Sequence, residues 1–441
     1  MAAVVPGNLL RTAVLVAGLL AASATPGVAA LPVHARLVAS IPAAGDTLRV
    51  LPTEMRLLFS EPVEAGLVTI RVVAADGATI DLATRPDPGD VRAVLAPFPV
   101  LGAGGYRVVW RVVSADGHPI EDDFVFFVAE AEPSPAGPAG SAPARTEPAR
   151  LEVPPPARID TGWRPPALLI AAVEALALGA LLSLAGILLH LPPGGREIPR
   201  VARVLALAAP PLLAVHGGLW ALDMSPEGSL AAALADALGT TAGRVELARL
   251  ALAGLAAWAL ALARRPRVAV VFAFAAVLAG GALGHALANS PVWSIPAKAI
   301  HLAAVAVWLG GLLRLATIDP ASDLFPATAR KVSAAALIAV IVIGVTGVLQ
   351  AALLLPTLAD LLTSGYGRLV LVKVAGLAIL IGLGAYHRLR LMPRLEAGSG
   401  VALRRSVRRE IVVIAVVLLI AARLAYEPPP MAAVTFLLGA R

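Results

Sequence analysis

Two hydrophobic rhythms divide this chain. From residue 31 to about 128, apolar and polar residues alternate with a period of two, the pattern of half-buried strands. Val68, Ile70 and Val72 interleave with Thr69 and Arg71. Tyr106, Val108, Trp110 and Val112 form a second apolar face, set against Arg107 and Arg111, and Phe124, Phe126 and Val128 close the segment. Asp76-Gly77 is a hairpin-turn signal. Short strands with Gly/Pro turns over this length predict a small all-β sandwich. Residues 129–163 are rich in Pro, Ala, Gly and charge, and predict an extended, semi-rigid linker.

From residue 164 to 441 the rhythm changes to long apolar runs. They predict eight helices, near 166–189, 201–220, 244–263, 268–288, 297–315, 331–354, 367–387 and 408–426. Each is about 20 residues, the length a bilayer core requires. Ahead of everything, Arg11, the apolar run Thr12 to Ala22 and the small residues Val28-Ala29-Ala30 predict a secretory signal over 1–30. The sandwich is then extracytoplasmic and the first helix runs inward. On that path the inner loops contain Arg196, Arg200, Arg264, Arg265, Arg267, Arg330, Lys331 and the stretch Arg388 to Arg409. The outer loops contain Asp223, Glu227, Asp236 and Asp360, so the charge bias agrees with the leader. Met431 to Leu438 fits an outer-interface tail.

Composition sharpens this picture. The chain is 58% hydrophobic, with a mean hydropathy of +0.82, which selects a polytopic membrane protein over a soluble one. Its net charge of +7 sits in short inter-helix loops and lacks aromatic interleaving, which argues against nucleic acid. There is no cysteine, so disulfides, thiolate metal sites and cysteine nucleophiles are excluded. No Gly-x-Ser-x-Gly, P-loop or His-Glu-x-x-His motif occurs, and the expectation is a protein that is not an enzyme.

The candidate chemistry is imidazole and carboxylate. Asp116-Gly117-His118 lies near the end of the β segment, and residues two apart in extended chain share a face. His34 is the other histidine outside the bundle. Mixed nitrogen and oxygen donors suit Cu(II); a plain hairpin turn with an exposed histidine fits the same residues. In the bundle, His285 lies about one turn before the fourth helix ends and His301 about one turn into the fifth. His216 falls near the same level, so three imidazoles at one depth predict a reception site for a cation. Glu174 and Lys373 are further intramembrane charges, either paired with each other or, for Glu174, assisting a cation path. Glu410 reads as an interfacial charge at the inner face, and His190 and His387 as snorkelling residues or an exit site. The tryptophans Trp110, Trp220, Trp293 and Trp308 fit core packing or the interfacial belt.

Several stretches resemble known families. His34-Ala-Arg-Leu, Ser40-Ile-Pro-Ala-Ala-Gly-Asp, Leu57-Leu-Phe-Ser-Glu-Pro-Val and Tyr106-Arg-Val-Val-Trp-Arg-Val-Val-Ser-Ala-Asp-Gly-His-Pro resemble the copper-resistance protein CopC family. Gly284-His285-Ala286, His301-Leu-Ala-Ala-Val-Ala-Val-Trp-Leu-Gly-Gly and Tyr366-Gly-Arg with Lys373 resemble its membrane companion, CopD. The resemblance covers nearly all of the chain beyond its leader. It implies a cupredoxin-like or Ig-like sandwich that binds Cu(II) through His34, Asp116 and His118. It further implies a membrane domain concerned with copper import or homeostasis in the cytoplasmic (inner) membrane, with the sandwich in the periplasm. The expected partners are copper, the lipid bilayer, and a periplasmic copper chaperone or reductase. Two departures stand out. Cleavage after residue 30 leaves Leu31-Pro32-Val33 ahead of His34, whereas the family's first histidine usually begins the mature protein. Of the five methionines only Met55 lies in the sandwich, which argues against a thioether Cu(I) site. Two other readings stay open: a haem-binding electron-transfer protein, with histidines of adjacent helices as axial ligands, and a copper-responsive sensor or scaffold.

Overall fold

A computed structural model describes residues 35–114, 117–130, 154, 156, 159, 163–192, 198–225, 229–284, 286, 291–395, 399–427 and 430. The predicted signal, His34, Asp116, His285 and the tail Met431 to Leu438 lie outside the described residues.

The alternating segment folds as two facing sheets. One has the order β1(Leu37–Ile41), β3(Glu54–Phe59), β7(Asp90–Pro97), β6(Arg85–Asp87). The other runs β2(Thr47–Leu48), β9(Pro119–Val128), β8(Gly104–Val113), β4(Thr69–Ala74), β5(Thr79–Leu82). The expected inward face is the observed core: Ile70, Val72, Val108, Trp110, Val112 and Phe126 are buried against Met55, Leu57 and Phe59. Phe59 and Trp110 meet edge to face, 5.2 Å between centroids, a favoured aromatic geometry. Asp76-Gly77 forms the β4–β5 hairpin, with Gly77 at φ +86°, where glycine carries no Cβ penalty.

The outward face of β8 departs from the alternation. Alternation puts Arg111 on the face opposite the sandwich core, yet it is 5% exposed, because the helical domain covers that face. Val113 is buried there among Trp220, Met224 and Ala242. The linker is also not a free tether where it is described: Ile159 packs on Val73 and Val109, and Arg107 donates to the Pro154 carbonyl at 2.8 Å.

Helices occupy all eight predicted places. They are α1(Ala167–Leu189), α2(Arg200–Met224), α4(Thr241–Ala261), α5(Pro266–Ala279), α6(Pro291–Thr317), α7(Leu324–Leu354), α8(Gly365–Tyr386) and α9(Gly400–Ala425). Short helices that the pattern does not predict include α3(Leu230–Gly239) and a turn at Asp360–Thr363. Among the described residues five helices are long and apolar enough to cross a membrane: α1, α2, α6, α7 and the stretch Gly365–Arg394. The charges of α4 and α9 and the shortness of α5 keep those three out of that class.

Two boundaries differ in ways that matter. The helix expected to reach residue 288 ends at Ala279 and gives way to one 3-10 turn, Gly280–Ala282. Gly284 then turns the chain at φ +59°. The helix that contains His301 runs from Pro291, not from near 297, so His301 lies about three turns into it rather than one.

The bundle is held by small residues as well as large ones. A Cβ on Gly310 of α6 would run into the backbone of Gly186 and Ile187 of α1, so the two helices approach at backbone distance. Such close approach is how membrane helices gain van der Waals contact without a hydrophobic drive between them. Gly310→Leu is therefore expected to force α1 and α6 apart, costing about 1–3 kcal/mol by overpacking. A lowered thermal midpoint of the purified protein in detergent is the check, and an unchanged midpoint contradicts this packing.

Candidate metal-transfer site at the domain junction

The N-terminus of the sandwich and its Asp-Gly-His loop lie at one end of the fold. Ala35 is 1% exposed and pins the chain directly after His34. Arg36 exchanges hydrogen bonds with Ser60, its N–H donating to Oγ at 3.0 Å and its carbonyl accepting from the Ser60 N–H at 2.8 Å. Three residues on, Val63 bridges Ser114 at the start of the loop. The chain at Ala35–Arg36 is thus tied through Ser60 and Val63 to Ser114, at the end of β8. Glu61, buried beside this contact, is a residue that alternation did not single out.

The loop itself turns at Gly117, whose φ of +86° lies in the left-handed region that favours glycine. A Cβ there would sit 2.6 Å from the ring of Trp220 on α2. Trp220 Nε1 donates to the Gly117 carbonyl at 3.1 Å. The tryptophan expected in the core or belt therefore grips the loop between the two candidate ligands of the sandwich.

Charged groups reinforce the junction. Arg111 Nη2 donates to the Asp223 carbonyl at 2.7 Å. Arg164 donates to the same carbonyl and, at 3.1 Å, to that of Ser225. These carbonyls are at and just past the end of α2, where backbone acceptors lack helical partners and a cation is favoured. Burial and the neighbouring Arg164 pull the Arg111 pKa down to about 10, which leaves it charged at neutral pH.

A cavity of about 50 Å³ opens under the loop, enough for a few waters or an ion. His118 supplies its sandwich wall; Glu174, His216, Glu246, Lys298 and Tyr426 are the polar groups of its bundle walls. The Tyr426 ring meets His118 edge to face at 5.0 Å. Below it, His216 Nδ1 donates to Glu246 Oε1 at 2.9 Å, and Arg249 Nη1 donates to Glu246 Oε2 at 2.6 Å. His216 Nε2 then lies 3.3 Å from the Tyr426 hydroxyl. Glu174 Oε2 is buried in the same cavity with no hydrogen-bond partner. Glu246 and Tyr426 escaped the sequence reading. The signal for Glu246 was its i, i+3 spacing with Arg249 at the start of an apolar helix; for Tyr426 there was none.

Of the three imidazoles expected at one depth, His285 lies outside the described residues and the other two have different partners. His216 faces Glu246 and Tyr426, whereas His301 donates from Nδ1 to Thr346 Oγ1 at 2.9 Å, toward α7, and is not part of the cavity. No three His, Asp or Glu side chains among the described residues converge closely enough to hold a metal ion. Glu174 lines the cavity and forms no ion pair with Lys373 among the described residues.

The inner end also differs from expectation. Glu410 is not an interfacial charge: it is 1% exposed, accepts from Trp308 Nε1 at 3.0 Å and lies 3.2 Å from His387 Nδ1. His387 Nε2 is 2.7 Å from Ser406 Oγ. His190 Nε2 donates instead to the Val307 carbonyl at 3.0 Å, so the two histidines have separate partners and no shared exit site.

Comparison with known proteins agrees with this two-part layout. The CopC domain family matches residues 37–129, and the family described as copper resistance protein D, CopD, matches 326–424. Copper resistance protein C of Escherichia coli is 33% identical over 129 residues, covering 27% of this chain and 98% of that protein. The chain belongs to the CopC family, fused to CopD. Its similarity to the copper transport protein CutJ of Bacillus subtilis runs through both parts: 26% identity over 428 residues, 90% of this chain and 74% of that protein. The crystal structure of CopC from Methylosinus trichosporium OB3b aligns with 23% of this chain and 98% of its own length, at 27% identity and a TM-score of 0.22.

The contact between the CopC domain and the helices is expected to respond to pH through Glu64. Burial raises its carboxyl above the ordinary value, and the Thr241 backbone N–H and Arg244 of α4 offset this only in part. An acid with a raised folded pKa favours the folded, docked form below its ordinary pKa, and that contribution is lost as pH rises through the raised value. Glu64→Gln is therefore expected to gain thermal stability relative to the parent as pH is taken from about 4 to about 7. Melting curves of both proteins across that range are the check; parallel curves contradict the assignment.

Proposed function

We propose that this chain captures copper outside the cytoplasmic membrane and passes it inward through the CopD helices, in copper import, homeostasis or resistance. The CopC domain holds Cu(II) with His34, Asp116 and His118, a nitrogen and oxygen donor set that suits Cu(II). The observation that carries this reading is the shared cavity: His118, the end of the Asp-Gly-His motif, forms one wall, and bundle residues form the rest. Copper released from the sandwich then meets helix side chains without crossing bulk solvent. The copper-transport name of the CutJ relative, similar through both domains, supports a role in copper transport.

The reading extends to place and partners. The sandwich sits on the ends of α2 and α9 and the starts of α1, α4 and α6, the ends to which charge bias assigns the outside. The protein is accordingly a multi-pass component of the inner membrane with its CopC domain in the periplasm, supplied by a periplasmic copper carrier. The role requires no catalytic step; where the cell takes copper as Cu(I), a separate reductase supplies the electron. A haem-carrier reading is less well supported, because His216 and His301 are engaged by different partners on different helices.

Asp116→Ala and His118→Ala are each expected to weaken Cu(II) binding at least about a hundredfold, more than loss of an outer partner costs. Chelator competition on the purified full-length protein measures it. An affinity that survives both substitutions rejects the sandwich ligand set.

A further inference from the structure

We infer that the CopD domain carries a Cu(II) transit site of its own, built on His216 Nε2 and the Glu174 carboxylate in the junction cavity and covered by Tyr426. The inference rests on the copper-transfer reading and adds to it the first ligands inside the bundle.

The orientation of His216 is the strongest observation. Its Nδ1–H is fixed by Glu246, which is itself fixed by Arg249. A carboxylate behind one ring nitrogen sets the tautomer and leaves the lone pair on the other; this is the usual support of a metal-binding histidine. His216 is 6% exposed, so that support is rigid and shielded from solvent. Its free lone pair is met only by a long contact, 3.3 Å, to the Tyr426 hydroxyl.

Glu174 supplies the second observation. Its Oε2 is buried in the same cavity and accepts no hydrogen bond. An orphaned carboxylate oxygen in a membrane-embedded domain is costly unless a cation comes to it. Lys298 also lines the cavity, but its Nζ donates to the Leu283 carbonyl at 2.7 Å.

The donor set selects the ion. Nitrogen and oxygen without a thioether or thiolate among the cavity residues suit Cu(II), not Cu(I). Two protein ligands, completed by water, bind weakly, and a conducting path needs sites that an ion can leave. Tyr426 touches both histidines, by its ring at His118 and by its hydroxyl at His216. Rotation of this one side chain would join the sandwich site to the bundle site.

The test uses purified full-length protein titrated with Cu(II) and read by copper stoichiometry and electron paramagnetic resonance. The parent chain is expected to bind two Cu(II). The Asp116→Ala/His118→Ala chain is expected to bind one, with the hyperfine pattern of a single nitrogen ligand. Adding either His216→Ala or Glu174→Gln to that chain is expected to abolish the remaining copper; Glu174→Gln is nearly isosteric and leaves the His216–Glu246–Arg249 group untouched. In the otherwise unaltered chain, both substitutions are expected to keep the sandwich signal and to slow copper uptake into proteoliposomes at least tenfold. If the sandwich-disabled chain binds no copper, or binds copper that neither substitution disturbs, the transit site is overturned while sandwich capture stands. A parent chain that binds no copper at all rejects both.

Discussion

Trp220 fills the space where a side chain on Gly117 would be, and it donates its indole N–H to that residue's carbonyl. The rest of the arrangement depends on this close approach. It brings the loop of the CopC domain onto the end of α2, so that His118 becomes part of a wall shared with the bundle. Glycine is required twice at one position: for a left-handed backbone and for the absence of a Cβ. The glycine between the two candidate ligands is thus a docking element.

Around that contact the junction resembles the inside of a protein more than a tether between two bodies. Leu67 and Val113 of the sandwich pack with Ile170, Trp220 and Met224 of the bundle in one apolar cluster. Arg111 and Arg164 satisfy carbonyls at the end of α2 that the helix itself leaves open. Buried this way, the arginines fix the angle at which the sandwich sits, because their donors match acceptors in fixed positions. A cavity between rigid walls follows from the docking, and a transfer path needs such a cavity.

Inside the bundle, charge is arranged in two separate groups. At the junction end, Arg249, Glu246, His216 and Tyr426 form one hydrogen-bonded chain. At the far end, Trp308 donates to one oxygen of Glu410, the other oxygen lies 3.2 Å from His387 Nδ1, and His387 Nε2 is 2.7 Å from Ser406 Oγ. Each buried carboxylate faces cationic or N–H groups, as groups removed from water must. Glu174 is the exception at the junction, with one oxygen left open to the cavity.

The sequence by itself determined the two-part architecture. Period-two alternation defined the sandwich core at Ile70, Val108, Trp110 and Phe126, and apolar length located every long helix. The Asp-Gly-His motif singled out the loop that reaches the bundle, because residue type and spacing are local properties. Only the tertiary structure decided what covers a polar face and which charges meet. Arg111 stood only opposite the sandwich core until α2 was laid over it, Glu410 looked interfacial until Trp308 and His387 enclosed it, and His301 looked like a partner of His216 until Thr346 engaged it. The contacts that cover Arg111 and Glu410 join residues 112 and 102 positions apart. Hydrophobic periodicity records which side of an element avoids water. It does not record which distant element provides the shelter, and here that partner turns surface charges into a site.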